Sequence, residues 1–425
     1  MCGNAYKRYV LGILTIVFTL NYADRALLGL LLQPIKADLN LSDTQLGLLT
    51  GIAFALFYST LGLPIARWAD RGDRVSITSV AIGLWGVTVM LCLFVTSFVQ
   101  LVAARIAASV GEAGCMPPTY SLLGDYFPAP VERTRAMAIY WLANPLCAVL
   151  GFVGGGWLND KYGWRVAFFV LGLPGLLVAL MVKMTVAEPR VQAIKGPQKQ
   201  RELSSSVVDV LHILWNQHSS RHLIFALILF FTMALGLAPW YAAFMMRMHG
   251  MGTTELGLWL GAIFSIGGLI GTLSGGFVVA RWFTGNERGQ LRLSAIAIAS
   301  AIPSFSAFLL LPTKQQALTA LVPLIVALNF VIAPTFALLQ RLVDEKIRAT
   351  TLAVVMLFSN LIGMGAGPQI VGITSDVLRP LFGDDSLRYA MLGMLSVALA
   401  ATYYFWRVGA TVESDLSTIE HTQLA

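Results

Sequence analysis

Length, composition and charge place this chain of 425 residues among membrane proteins. Hydrophobic residues make up 57% of it, charged residues only 12%, and the mean hydropathy is +0.73, which excludes an ordinary soluble globular protein. The formal charge of +7 agrees with basic residues at the inner ends of membrane spans, and it gives no reason to expect nucleic acid binding.

Apolar stretches of about 20 residues, the length of a membrane-crossing helix, recur along the whole chain. They predict an all-α membrane protein with twelve transmembrane helices in two pseudo-symmetric six-helix bundles. The N-terminal bundle is residues 1–187 and the C-terminal bundle 221–408, with a linker at 188–220 and a tail at 409–425. The predicted spans, numbered 1 to 12, are 8–33, 43–66, 75–96, 98–124, 135–157, 165–186, 221–247, 255–280, 291–311, 316–343, 349–376 and 387–408.

Lys and Arg set the expected orientation, because basic residues near span ends resist translocation. With the N-terminus inside, roughly 20 basic residues lie on the inner side and about 7 on the outer side. We therefore expect a multi-pass protein of the inner (plasma) membrane with both termini in the cytoplasm. In the linker, apolar residues at helical spacing predict a short amphipathic helix on the inner membrane face: Val207, Val208, Leu211 and Leu214, with Trp215 beside them.

The two halves of the sequence resemble each other. The string "TQLGLLTGIAF" from Thr44 reappears as "TELGLWLGAIF" from Thr254. A second set recurs with the same spacing: Asn144, Gly151 and Asp160 match Asn360, Gly367 and Asp376. Together these matches indicate a parallel duplication, as found in transporters built from two repeats.

No motif predicts catalysis or a bound cofactor. The four cysteines and five histidines lack the spacing of a disulfide or metal site. The chain has neither a visible catalytic dyad nor a Gly-Lys-Ser/Thr phosphate loop. We expect no enzyme activity, no cofactor and no metal.

Several strings resemble the major facilitator superfamily of transporters. They are "ARWADRGDR" between spans 2 and 3, "YGWRVAFFVLG" entering span 6 and "AEPR" leaving it. The resemblance implies a charged latch on the inner side that gates the transporter, with candidate residues Asp70, Arg71, Arg74, Arg133 and Arg135. Asp73 departs from the family, which usually has glycine there, so the tight turn of the signature is in question.

A narrower resemblance is to the Spinster branch, which moves sphingolipid phosphates and lysophospholipids. It is carried by "NYADR" in span 1, "ARIAASVGEAG" in span 4 and "LLGDYF…RTRAMAIY" after it. The same charges in spans 1 and 4 also resemble bacterial symporters of sugar acids and aromatic carboxylates. Both substrate classes therefore stay open, although "SDTQLGLLTGIAFALFYSTLGLPIARWADR" is more similar to bacterial Spinster-type proteins.

Four charges lie inside spans 1 and 4: Asp24, Arg25, Arg105 and Glu112. A charge in the bilayer costs roughly 3 kcal/mol, so it is expected only beside a cavity or another charge. Arg105 and Glu112 are seven residues apart and share one helix face. If spans 1 and 4 are neighbours, as the resemblance implies, all four form one neutral cluster.

Two interpretations of this cluster remain open, a structural network and a transport site. For transport, Glu112 is the first candidate for a proton carrier and Asp24 the second. Arg25 and Arg105 would then bind an anionic head group once protonation releases them. Further substrate-binding candidates are Tyr22, Trp240, Tyr241, Asn329 and Asn360, and Pro239 in "LAPWYAAF" predicts a kink in span 7.

These observations predict a proton-coupled secondary transporter that works by alternating access. Its partners would be protons, membrane lipids and a small-molecule or lipid substrate, and we expect a monomer. The leading substrate is an anionic or zwitterionic amphiphile such as a lysophospholipid or sphingolipid phosphate. A proton-coupled symporter of small organic anions is the alternative, and a polytopic membrane enzyme is a third class that would need a catalytic set.

Overall fold

The structure, a computed structural model, describes residues 3–189, 212, 214–341 and 348–424. These residues are almost entirely helical, as the sequence predicts. Eleven of the described segments are long and apolar enough to cross a membrane, and the last of them, Val354–Glu413, contains both span 11 and span 12. Most of the predicted linker helix lies outside the described residues.

The first six spans form the helices Asn4–Leu39, Asp43–Thr50 with Ile52–Arg71, Arg74–Leu91, Phe98–Ala113 with Met116–Tyr126, Pro130–Tyr162 in four segments, and Trp164–Thr185. The second six form His218–Leu237 with Trp240–His249, Thr253–Trp282 in three segments, Glu287–Leu310, Lys314–Arg341, Arg348–Phe382 in three segments, and Ser386–Gly393 with Leu395–Leu424. The last helix continues to Leu424, beyond the predicted end at 408. We call the end at which odd-numbered spans begin the proximal end, and the opposite end distal.

Several spans are interrupted, and the interruptions have identifiable causes. Span 2 breaks at Gly51, whose φ and ψ of −105° and −103° lie outside the helical region. Span 7 breaks at Ala238 and Pro239, because proline lacks the N–H that a continuous helix requires there. Spans 5 and 11 each contain a wide, π-helical turn close to the matched glycines of the predicted repeat, Gly151 and Gly367.

The chain divides into two compact units. The first is Met1–Gln198 with Pro239–Ser265, and the second is Lys199–Ala238 with Ile266–Ala425. The boundary therefore differs from the predicted bundles, because the distal part of span 7 and the start of span 8 pack with the N-terminal spans. Close packing explains this: a side chain at Gly156 of span 5 would overlap the backbone of Thr253 in span 8.

In the second unit, spans 7 and 11 approach each other through glycines. A β-carbon on Gly367 would lie 2.6 Å from the Cα atom of Gly236, a distance that real side chains do not tolerate. The glycine-rich string of span 11 therefore permits a direct backbone contact between these two helices.

Candidate functional site

The four charges of spans 1 and 4 come together in the first unit as two ion pairs. The Nε atom of Arg25 donates to Oε1 of Glu112 at 2.7 Å, and the Nη2 atom forms an ion pair with the same oxygen at 2.5 Å. Arg105 Nη1 pairs with Oδ2 of Asp24. Glu112 also lies within electrostatic range of both Arg105 and Asp24, so the pairs behave as one cluster.

Burial distinguishes the four members of the cluster. The side chains of Glu112, Asp24 and Arg105 are 1%, 2% and 8% exposed, whereas that of Arg25 is 21% exposed. Charges removed from water in this way persist only when they are paired. Arg25 is therefore the most exposed member of the cluster.

Buried atoms of the cluster that make no hydrogen bond to the described part of the chain include Oε2 of Glu112 and Nε of Arg105. A buried polar atom without a partner costs about 1–3 kcal/mol. The cluster thus holds an open acceptor position on Glu112 and an open donor position on Arg105, which a proton, a water molecule or a ligand can satisfy.

A break in span 4 positions Glu112. The first helix of the span ends at Ala113, and Gly114 with the Pro117–Pro118 pair prevents its continuation. Glu112 therefore lies in the last turn before the break. Gly111 brings span 4 close to span 3, since a β-carbon there would lie 2.7 Å from the backbone nitrogen of Trp85. The sequence predicted span 4 as one continuous helix, without this break.

Three aromatic rings surround the guanidinium of Arg25. Its Cζ atom lies 4.6 Å from the ring centroids of Tyr22 and Phe54 and 4.7 Å from that of Tyr58. Phe54 also lies 4.4 Å from the Cζ atom of Arg105, so one ring contacts both arginines. Such cation–π contacts hold a guanidinium in place independently of its carboxylate partner.

Span 2 presents two of these rings. Phe54 and Tyr58 are four residues apart, so they lie on one face of the helix that begins after the Gly51 break. The hydroxyl groups of Tyr22 and Tyr58 both donate to the sulfur of Met116, at 3.6 and 3.7 Å. The sequence predicted Tyr22 as a site residue but missed Phe54, Tyr58 and Met116.

The other predicted substrate-binding residues lie on spans 7, 10 and 11. Trp240 and Tyr241 are buried in the first unit, in the short helix after the span 7 break. Asn329 is half-buried in the second unit, where its amide nitrogen donates to the Ile325 carbonyl at 2.9 Å. Asn360 is half-buried in the wide turn of span 11. Their predicted roles remain predictions.

The predicted gating residues near the proximal end have partners within the first unit. Arg74 is fully buried, and its guanidinium pairs with Glu188 and, at 2.7 Å, with Asp125. Arg133 donates to backbone carbonyls that follow span 4, Gly124 at 3.1 Å and Phe127 at 3.3 Å. Arg74 is thus a brace between spans 3, 4 and 6.

The remaining predicted gating residues have less defined surroundings. Arg71 and Arg135 are exposed, and the side chain of Asp70 lies outside the described residues. Their predicted gating role stays a prediction.

Asp73, which departs from the family signature, caps the helix of span 3. Its Oδ1 accepts hydrogen bonds from the backbone of Val75 at 3.0 Å and Ser76 at 3.2 Å. Partial burial by itself would raise the pKa of Asp73, but these hydrogen bonds, the Ser76 hydroxyl and Lys183 hold that pKa below its usual value. A helix cap therefore replaces the glycine turn.

A second charge cluster at the distal end was not predicted from the sequence. Asp43, at the start of span 2, accepts from Lys36 at 2.5 Å and from both Nη atoms of Arg247, at 2.5 and 2.7 Å. Gln33 accepts from Nε of the same arginine at 3.0 Å. Asp160 of span 5 also accepts from the backbone of Thr254, at 2.8 Å. These contacts join the distal ends of spans 7 and 8 to spans 1, 2 and 5.

Helical spans in two units, with a largely buried charge cluster inside one of them, are typical of a polytopic membrane transporter. The chain belongs to the Major Facilitator Superfamily, whose family model matches residues 14–368. The sequence resemblance to this superfamily is thereby confirmed.

Comparison with relatives and solved structures shows which transporters of the superfamily this chain is similar to. The chain is 31% identical to an MFS-type efflux pump of Mycolicibacterium smegmatis, over 95% of this chain and 93% of the relative. It is 26% identical to Protein spinster homolog 1 of Xenopus laevis, over 99% of this chain and 84% of the relative. The crystal structure of a bacterial homologue of the human lysosomal transporter Spinster superposes with a TM-score of 0.87 at 27% identity, covering 97% of this chain and 99% of that one.

Proposed function

We propose that this protein is a proton-coupled secondary transporter of an amphiphile with an anionic or zwitterionic head group. The similarity to Spinster proteins supports this substrate class, because one relative, from Danio rerio, is a sphingosine-1-phosphate transporter, 26% identical over 90% of this chain. Small organic anions are the second candidate. A probable galactarate/D-glucarate transporter of Bacillus subtilis is 24% identical over 64% of this chain.

The observation that carries the proposal is the Arg25–Glu112 pair, in which the acid is sealed from water and the base is accessible. Glu112 uses only Oε1 for Arg25, and its Oε2 has no hydrogen-bond partner in the described part of the chain. A proton arriving at Oε2 meets no competing donor. We assign the role of proton carrier to Glu112, with Asp24 as the second site.

Protonation of Glu112 removes the charge that holds Arg25, and the guanidinium becomes available to a carboxylate or phosphate. The rings of Tyr22, Phe54 and Tyr58 keep it in place, so the anion finds an oriented donor. Proton and anion therefore bind cooperatively. Arg105 is less accessible and stays with Asp24, which makes Arg25 the main head-group ligand.

Alternating access requires contacts that break and re-form at the two ends of the protein. The Asp43–Arg247 pair is a suitable contact at the distal end, which we take to face outside, with both termini in the cytoplasm and the protein in the plasma membrane. The whole cluster of spans 1 and 4 lies within one chain, so we propose that a monomer transports.

Uptake into proteoliposomes under an imposed pH gradient tests the proposal. The substrates are sphingosine-1-phosphate, a lysophospholipid and D-glucarate, each offered to the wild type and to the variants Glu112→Gln, Asp24→Asn and Arg25→Gln. Glu132→Gln, which changes an exposed acid, is the matched control. We expect gradient-driven uptake of the lipids that is lost in Glu112→Gln and Arg25→Gln and kept in the control.

The substrate panel separates the two candidates. Uptake of D-glucarate without uptake of either lipid would replace the amphiphile by a small organic anion and leave the proton site in place. Full gradient-driven uptake in both Glu112→Gln and Asp24→Asn would contradict the proton-carrier assignment for any substrate.

A further inference from the structure

Spans 7 and 12 carry facing polar and aromatic side chains near the proximal end of the second unit. We call this surface the span 7/12 patch. Its members are Trp215, His218, Arg221, His222 and Phe225 around the start of span 7, and Tyr404 and Arg407 in span 12.

Aromatic contacts form a continuous floor in the patch. The ring of Tyr404 lies 5.9 Å from His222 and 5.5 Å from Phe225, and Phe225 lies 6.0 Å from Trp215. Trp215 is 58% exposed, as expected of a tryptophan at a membrane interface. These rings give the patch an apolar surface.

The patch has an excess of positive charge. Arg221 Nη2 lies 3.0 Å from His218 Nδ1, and the charges of Arg221, Arg407 and His218 all act on His222. Within the described ranges, neither Arg221 nor Arg407 forms an ion pair. The nearby acid, Asp415, accepts the backbone N–H of Ser219 at 2.8 Å.

Nδ1 of His222 is buried, and the backbone of His218, one turn earlier, is the nearest group that acts on this ring by hydrogen bonding. Arg221 and Arg407 both act electrostatically on His222, so an anion beside this ring would be attracted by both arginines. Arginine binds phosphate oxygens through two parallel N–H groups, and basic residues at the inner membrane face attract anionic lipids.

We propose that the span 7/12 patch binds the phosphate of an anionic diacyl phospholipid. Arg221 and Arg407 bind the phosphate oxygens, His222 donates to or accepts from the head group, and the rings of Trp215, Phe225 and Tyr404 contact the glycerol and the upper acyl chains. This site is separate from the Arg25–Glu112 pair. It does not depend on the proposed transport function.

Native mass spectrometry of the full-length protein in detergent tests the site. Phosphatidylglycerol and phosphatidylcholine are titrated separately, and the Kd of the tightest adduct is measured. One basic residue contributes about 1 kcal/mol near a lipid surface, about a fivefold change in Kd. We therefore expect Arg221→Gln and Arg407→Gln each to weaken phosphatidylglycerol binding about fivefold and the double variant about 25-fold. Phosphatidylcholine binding should not change.

The matched control is Arg281→Gln with Arg379→Gln, which removes two exposed arginines that form no ion pair in the described part of the chain. If this pair weakens phosphatidylglycerol binding as strongly as the patch variants, general charge accounts for the binding and the site is refuted. Equal wild-type affinity for the two lipids refutes it as well. Inorganic phosphate is the third probe, and displacement of the lipid by an equal concentration of phosphate would show a free-anion site instead.

Discussion

Replacement of Asp43 by Asn should loosen the packing of the distal parts of spans 7 and 8 on the N-terminal spans. Asp43 is 1% exposed and neutralises Lys36 and Arg247, whose side chains are 13% and 8% exposed. Asparagine keeps the shape and removes the charge, so two neighbouring cations lose their common partner.

The size of the effect follows from this burial. Removal of one partner from a buried ion pair costs about 3–5 kcal/mol. Both cations gain some hydration when the contact opens, so we take the lower limit of about 3 kcal/mol, a shift of about 100-fold toward the separated arrangement.

Spin labels at Val99 and Leu258, in a variant without native cysteines, report the distance between the distal ends of spans 4 and 8. Both positions are exposed. Asp43→Asn should shift the distance distribution to longer values. The control is Asp38→Asn, which removes a half-exposed pair with Arg165 at the same end and should change the equilibrium by less than about 1 kcal/mol. An unchanged distance distribution in Asp43→Asn would show that Asp43 does not hold spans 7 and 8 against the N-terminal spans.

Three further variants test other parts of the structure. Asp73→Ala should lower the free energy of unfolding by about 1 kcal/mol at neutral pH through loss of the helix cap, measured by denaturant titration. Because the folded pKa of Asp73 is lowered, this contribution is present above its unfolded pKa and lost as the pH falls through the folded value, so the two proteins should converge in acid. Gly367→Val should separate spans 7 and 11 at Gly236 and lower the Tm in a thermal melt, whereas an unchanged Tm would contradict the close contact. Arg74→Gln should lower the free energy of unfolding by about 3–5 kcal/mol, because it removes one partner of the buried Arg74–Glu188 ion pair, and a loss below about 1 kcal/mol would show that the brace is dispensable.

The sequence predicted the charge cluster because the cluster depends on residue spacing within single helices. Seven residues between Arg105 and Glu112 place both on one helix face, and the cost of buried charge requires partners for each. It did not predict which acid pairs with which base. It also did not separate Arg25 from Arg105 as ligands, because exposure depends on how neighbouring spans pack.

Other features depend on contacts between distant parts of the chain. Phe54 and Tyr58 have no sequence signature that relates them to Arg25, and their contact with it depends on how span 2 packs against span 1. Asp43 and Arg247 are 204 residues apart, and neither has a local signature of an ion pair. The proline in span 7 did predict a kink, but the packing of Pro239–Ser265 with the first unit could not be derived from it.

Glu112 is the proposed proton carrier, and a single variant, Glu112→Gln, tests this role. Wild type and Glu112→Gln are compared in proteoliposomes for two activities: accumulation of substrate under a pH gradient, and exchange of substrate between equal pools without a gradient. Glutamine cannot take up a proton, but it leaves Arg25 available. We predict that Glu112→Gln keeps exchange and loses accumulation. Accumulation at the wild-type level in Glu112→Gln would show that Glu112 is not the proton carrier.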